Sequence, residues 1–291
     1  MKGWLITNGF LNSHKFQELY EMFQESDKRF SVDLTLKRND EILVDIGFDK
    51  DSWANKPDFV LFWDKDIKLA SYLEKLGIRV FNSSRSIEIC DDKSLTHLEL
   101  MNQGIRMPRT IFAPMTYSNI GFTNYKFLKH VKSILEFPLI IKEVFGSFGK
   151  QVYLANNEEE LQVIVSKHSN KPLIFQEFIR SSRGEDIRLQ VVGNEVVASM
   201  YRYNDTGDFR ANLSSGGKMK GYSPTKAQEE LAIKCCNILG LDFAGVDLLF
   251  GEKDEPVVCE INSNAHFKNI TDATGVSVSD KIIEYIIKIC G

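Results

Sequence analysis

Apolar positions over the first ninety residues fall alternately into short continuous runs and into spacings of three and four. The run 4–7 predicts a strand; Phe16, Leu19, Tyr20 and Phe23 then recur on one helical face, with Ser13 placed to cap it. A second run, 58–63, predicts a buried strand that ends at Asp64. Leu69, Leu73 and Leu76 mark a helix stopped by Gly77, and 78–82 is the next strand. Such alternation implies βα units and a parallel sheet. Asp64, at the end of a parallel strand, sits where such sheets bind ligands. The aromatic residues here, Trp4, Phe10, Trp53, Phe62 and Trp63, read most simply as core.

The pattern changes after Asp91-Asp92-Lys93. A helix with Leu95, Leu98, Leu100 and Met101 runs to Gly104, a strand begins near Pro108, and 137–142 is another. The glycine-bearing turn Gly146-Ser147-Phe148-Gly149 follows, then a strand at 152–155 and a glutamate-rich helix capped by Asn156 or Asn157. Strands are expected at 173–179, 186–192 and 195–203, a hairpin over 244–262 with its turn at 251–256, and a closing amphipathic helix around 282–289. No internal repeat or long linker interrupts the chain, so its domains should pack closely and move at hinges. The expected division is 1–92 and 93–291, the latter parted near residue 180.

Composition narrows the function classes. The 291 residues are 43% hydrophobic and 26% charged, with a net charge of -4, which offers no basic footprint for nucleic acid. No apolar stretch is long enough for a membrane span, and the start lacks a signal-peptide pattern. Five scattered cysteines without Cys-x-x-Cys spacing argue against a disulfide framework and a zinc site, and point to a reducing cytoplasm. Whether the chain forms a homo-oligomer is left open.

Several polar groups stand out against the apolar runs. On a strand, Glu260 and Asn262 project to the same side, and a neighbouring strand can bring Asp247 beside them. That all-oxygen set suits Mg²⁺, although two acids on a hairpin are more often a solvated surface. Lys142 ends a strand ahead of the glycine turn, a combination able to cover a polyphosphate or to form an ordinary hairpin. It is not a P-loop, because the lysine precedes the glycines, and no Gly-x-Gly-x-x-Gly follows the first strand. Arg188 and Arg210 carry the planar fork suited to oxyanions, and Ser214-Ser215-Gly216-Gly217 forms a donor-rich turn.

Taken in order, Lys142 with Gly-Ser-x-Gly, Gln176-Glu177-x-Ile179, Asp186-Ile187-Arg188, Asp208-Phe209-Arg210-x-Asn212, Ala244-Gly245-Val246-Asp247 and Glu260-x-Asn262 resemble the ATP-grasp ligases, most closely the RimK-type glutamate ligases. The resemblance covers about residues 90–290. It implies an α/β fold: an amino-terminal parallel domain followed by two ATP-grasp subdomains that clasp a nucleotide. It further implies that Lys93 and Lys142 contact ATP phosphates under the loop of Gly146, Ser147 and Gly149. Glu177, Phe178 and Ile179 would bind adenine, and Asp186 the ribose. Asp247, Glu260 and Asn262 would hold Mg²⁺ (or Mn²⁺), with two ions expected. Arg210 and Asn212 would lie beside the γ-phosphate, and Arg202 would hold the substrate carboxylate.

The implied reaction joins an amino-acid amine, glutamate or another, to a carboxylate acceptor through an acyl-phosphate. The acceptor would be a small molecule, a peptide or a protein tail. An ATP-binding regulatory or scaffold protein of the same fold is the alternative. One departure bears on specificity: members often continue after Asn262-Ser263 with Pro-Gly, whereas this chain has Asn264-Ala265-His266-Phe267. His266 would either act in proton transfer or, the plainer reading, replace a packing residue.

Overall fold

The computed structural model describes residues 1–11, 13–47, 56–147, 149–213 and 216–291. Trp53, Phe148, Ser214 and Ser215, named above, lie outside the described residues.

Three sheets appear in chain order. The first is parallel, with strand order β2-β1-β3-β4, built from β1 (Lys2–Thr7), β2 (Asp33–Arg38), β3 (Phe59–Phe62) and β4 (Arg79–Phe81). Helices α1 (His14–Phe30) and α2 (Ile67–Lys75) connect its strands, and α3 (Ser84–Asp91) and α4 (Lys93–Leu100) lead out of it. The chain turns one way from β1 to β2 and the other way to β3, so the carboxyl ends of β1 and β3 flank a switch-point crevice.

The second sheet is antiparallel, ordered β5-β8-β6-β7, from β5 (Thr110–Phe112), β6 (Leu139–Glu143), β7 (Val152–Ala155) and β8 (Leu173–Glu177). It carries α5 (Phe127–Ile134) and α6 (Glu158–Lys167). The third sheet, also antiparallel, is ordered β11-β10-β9-β12-β13, from β9 (Glu185–Val192), β10 (Glu195–Tyr203), β11 (Lys218–Gly221), β12 (Phe243–Phe250) and β13 (Pro256–Asn262). Helices α7 (Lys226–Ile238), α8 (Lys268–Thr274) and α9 (Val278–Cys290) accompany it.

Packing divides these sheets unequally. Leu5, Phe59 and Phe81 of the first sheet share a core with Met200, Phe243, Phe267 and Ile282 of the third. Asn82, fully buried just past β4, reinforces that union. Its Oδ1 accepts from the amides of Asp242 (2.7 Å) and Phe243 (3.2 Å), and its Nδ2 donates to the carbonyls of Phe243 and Ser263, both at 2.9 Å. Four backbone groups, at the start of β12 and just past the end of β13, are thereby satisfied by one side chain. The second sheet packs instead on its own helices, through Leu139, Ile141, Leu161 and Phe175. A subdomain with a separate core can shift against its neighbours without opening theirs.

Two expectations need correction. Phe10 is 77% exposed, so it is not core, because the chain has left β1 for an external loop. Ser13 occupies the N-cap position of α1, but its hydroxyl makes no capping bond. Asn157, rather than Asn156, caps α6 by accepting from the Glu160 amide. The elements β2, α3, α5, β11, α7 and α8 had no clear sequence signal. Among the described residues, no helix is long and apolar enough to cross a membrane.

Candidate active site

The third sheet forms the floor of a cleft because of its alternation. Ile187, Leu189, Val191, Ala244, Val246 and Leu248 point into one core, which sends Asp186, Arg188 and Asp247 to the opposite face. Register then matches charge at two pairs, Asp186 opposite Arg202 and Asp247 opposite Arg188, while on its other side Asp247 faces a second carboxylate, Glu260. Arg202 donates to both oxygens of Asp186, at 2.6 and 2.8 Å. Arg188 does the same to Asp247, at 2.6 and 2.7 Å, and Arg202 reaches Asp247 at 3.0 Å. Burial pushes the Asp247 carboxyl up, but the two guanidiniums outweigh it and hold it at about 2. At Asp186 burial prevails over Arg202, and that carboxyl is raised.

A bulge after Asp247 lets Cys259 and Glu260, consecutive in sequence, both line the cleft. Asn262 opens onto a second cavity, and Glu260 lines both. Gly245, opposite Asn262, must be glycine because a Cβ there would stand 2.5 Å from that of Ala265.

The second sheet forms the roof. Leu139 and Ile141 face its core, so Ile140 and Lys142 face the cleft. Lys142 is only 7% exposed, and its Nζ lies 3.8 Å from Sγ of Cys259. Among the described residues no carboxylate pairs with it. Lys93, at the start of α4, donates to the Gly146 carbonyl at 3.0 Å and lies 3.6 Å from Glu260. It thus ties the glycine turn to the carboxylate of the floor. Ser147 faces the second cavity. Gly149 has φ +70° and touches Asn212, while Arg210 donates to its carbonyl at 2.9 Å. Arg210 is also held by Asp208, at 2.8 and 3.1 Å. Glu177, Phe178 and Ile179 line the inner end of the cleft. His97 stands behind it, and burial pushes its imidazole down to about 4.

The second cavity, of about 380 Å³, opens where the switch-point crevice of the first sheet meets the edge of the third. The β1 end supplies Leu11, Lys15 and Phe16, the β3 end supplies Trp63, Asp64 and Lys65, and β13 leads in through Asn264 and His266. Arg188, Arg202 and Asn212 complete the wall toward the cleft. Burial, with Arg188 and Lys150 nearby, lowers Lys15. The sequence had marked Asp64 and His266 here but not Lys15. The signal for Lys15 would have been its place in the first turn after β1.

The charges fit a nucleotide with its metal. A buried ammonium without a carboxylate partner is costly unless an anion meets it, and the phosphates of ATP are such an anion. Glu260, Asn262 and Asp247 offer hard oxygens of the kind Mg²⁺ takes together with phosphate. Among the described residues no three His, Cys, Asp or Glu side chains are placed together to hold a metal ion, so this set is two carboxylates and an amide, with Asp247 already engaged by arginine.

Known proteins bear on this geometry. Residues 90–286 match the model of the RimK-like ATP-grasp domain. An uncharacterised protein of Mycoplasma pneumoniae is 34% identical over 76% of this chain and 77% of its own length. Human N-acetylaspartylglutamate synthase A is 36% identical over 76% of this chain, which spans 56% of that protein. In fold, the chain is similar to the ATP-grasp ligase PsnB solved with a minimal precursor, Mg and ADP. The TM-score is 0.73 with 14% identity, covering 100% of this chain and 97% of that one.

Proposed function

We infer the reaction from the premise that this chain belongs to the RimK-like ATP-grasp family: it is an ATP-dependent carboxylate–amine ligase. A carboxylate oxygen is a poor leaving group until it is phosphorylated. Transfer of the γ-phosphoryl group to it gives an acyl-phosphate and ADP. The amine lone pair then forms the C–N bond as the C–O bond breaks, and phosphate departs with that electron pair. Magnesium, when bound, supplies charge neutralisation along the triphosphate.

The residues divide these tasks. Lys142 and Lys93 would hold phosphate oxygens from the roof, with Gly146, Ser147 and Gly149 closing beside them. Glu177, Phe178 and Ile179 would receive adenine at the inner end, and Asp186 the ribose. Glu260, Asn262 and Asp247 would hold magnesium, with two ions the proposed number. Arg210 and Asn212, in contact with Gly149, would meet the transferring phosphoryl group. Arg202 lines both cavities and is the proposed partner for the carboxylate that receives it.

The observation that carries the reading is Glu260, which faces both cavities from one strand position, beneath Lys93. A group so placed can serve a nucleotide on one side and a carboxylate on the other. Glutamate, present in the name of the human relative, is the first amine to test. The carboxylate would enter the cavity beside Lys15 and Arg188.

Nucleotide products decide the chemistry. With Mg²⁺-ATP, a panel of carboxylates and L-glutamate, chromatography should show ADP and phosphate, and hydroxylamine should trap a hydroxamate. AMP with pyrophosphate as the coupled products would refute the acyl-phosphate route.

A further inference from the structure

The amide of Gln176, in β8, is held in one orientation, and the cause lies outside its own strand. Leu173 and Phe175 pack into the core of the roof, so Gln176 turns to the cleft, which it lines beside Glu177, Phe178 and Ile179. A side-chain amide has a donor end and an acceptor end of similar shape, and its hydrogen-bond partners decide which end points where. Two partners decide here. Thr110, directly opposite Gln176 in the β5–β8 register, spends its hydroxyl hydrogen on the Pro108 carbonyl at 2.8 Å. Its oxygen is then an acceptor, and it lies 2.9 Å from Gln176 Nε2.

The second partner is His97, on α4. Its Nδ1 lies 2.8 Å from the Lys93 carbonyl, which only accepts, so Nδ1 carries the hydrogen. Burial keeps the ring neutral at ordinary pH. Nε2 is therefore an acceptor, 2.9 Å from the same Gln176 Nε2. Two acceptors thus claim the hydrogens of one NH₂ group. Turning the amide over would set its oxygen against both of them with no hydrogen between. That leaves Oε1 for the cleft. Among the described residues no group donates to it, and it is not one of the occluded atoms that the fold leaves unpaired.

We propose that His97 is a positioning residue for nucleobase selection: with Thr110 it locks Gln176 so that Oε1 accepts from the 6-amino group of adenine. This deepens the ligase reading and rests on its placement of adenine at the inner end of the cleft. A base with a carbonyl at that position brings a second acceptor against Oε1, and the lock stops the amide from turning to suit it. Lys93 and His97 stand four residues apart on α4, so one helical turn serves both the phosphates and the base.

The test is calorimetry on the full chain with Mg²⁺, comparing ATP with inosine triphosphate, which carries a carbonyl in place of the 6-amino group. Wild type should prefer ATP by about 10²-fold. His97→Leu removes one acceptor, frees the amide to turn and should cut that preference about tenfold. Thr110→Val removes the other acceptor without touching His97 and should relax the preference in the same direction. His97→Gln can still donate to the Lys93 carbonyl and accept from Gln176, and should return the preference to within about threefold of wild type. In a Gln176→Leu background, adding His97→Leu should change the ratio by less than about twofold, because His97 acts through Gln176. A merely structural role for His97 would weaken both nucleotides alike and leave their ratio unmoved.

Failure of the wild-type chain to bind either nucleotide would refute the ligase reading itself. With ATP bound, the positioning role alone is overturned by a wild-type preference below about threefold. A ratio unchanged in both His97→Leu and Thr110→Val, no recovery in His97→Gln, or a further loss when His97→Leu is added to Gln176→Leu would overturn it equally.

Discussion

The floor and the roof of the cleft both bury cations, and they treat them differently. On the floor, Arg202 is 4% exposed and is met by Asp186, its direct cross-strand partner, and by Asp247, one strand further on. On the roof, Lys142 is 7% exposed with a thiol as its neighbour. A buried charge that the fold neutralises is stable without a ligand, whereas one the fold leaves uncompensated favours an anion beside it. The difference also follows the cores. The floor belongs to a sheet fused with the first domain, and the roof to a sheet with a core of its own. The cleft between them holds only about 100 Å³, below the range of typical ligand sites, so the roof must lift for a nucleotide to enter.

The comparison breaks most sharply at Arg202. Arg202→Met strands Asp186 and leaves Asp247 to Arg188 alone, and should cost about 3–5 kcal/mol in urea unfolding. A loss below about 1 kcal/mol would mean that the floor is not a compensated network. Next comes Glu260→Gln, which keeps the shape but removes a charge from the junction of the two cavities. Turnover, followed as phosphate release across Mg²⁺ concentrations, should fall by at least about 10²-fold. Near-normal turnover would remove Glu260 from the metal site.

Lys142→Met should behave opposite to the arginine variant. Without ligand, its stability should stay within about 1 kcal/mol of wild type, or rise, because an uncompensated charge is lost. With Mg²⁺-ATP at 100 times the wild-type dissociation constant, wild type should gain about 2.7 kcal/mol and the variant little of it. Equal gains in both proteins would take Lys142 out of the nucleotide site.

A pH-dependent effect concerns His97, behind the roof. Its Nδ1 lies 2.8 Å from the Lys93 carbonyl and its Nε2 2.9 Å from Gln176 Nε2, as a neutral ring requires. The unfolded chain takes up this proton near 6.5 and the folded chain only near 4. The unfolded state therefore binds more protons between those values. Stability from this group is full above pH 6.5 and is lost as pH falls toward 4, at up to about 1.4 kcal/mol per pH unit. His97→Gln should flatten that limb of the stability profile, and an unchanged slope would show that the ring is already charged in the fold. His266 contributes with the same sign over the same window, because its ring is also held near 4.

Much of the cleft was legible because its chemistry is local. Strand alternation around Ile140-Ile141-Lys142 and Asp186-Ile187-Arg188 already separates core from cleft, and the glycine turn after Lys142 announces a close backbone approach. Other elements were silent for equally local reasons. The strand Lys218–Gly221 alternates around charges at a sheet edge, and α5 and α7 pack by contacts their periodicity only weakly signals. Phe10 misled because an aromatic side chain suggests burial wherever it stands.

By itself the sequence determined the order of the sheets and the family, since these follow from periodicity and short motifs. Tertiary structure alone decided how those charges are spent. Whether Asp247 meets a guanidinium or stands open depends on the register of β9 against β12, between residues 59 positions apart. That Asn264 and His266 share a cavity with Lys15 depends on the first sheet docking against the third, across separations of 200 and 251 residues. Hydrogen-bond satisfaction is a property of the packed volume around an atom, and no spacing along the chain encodes it.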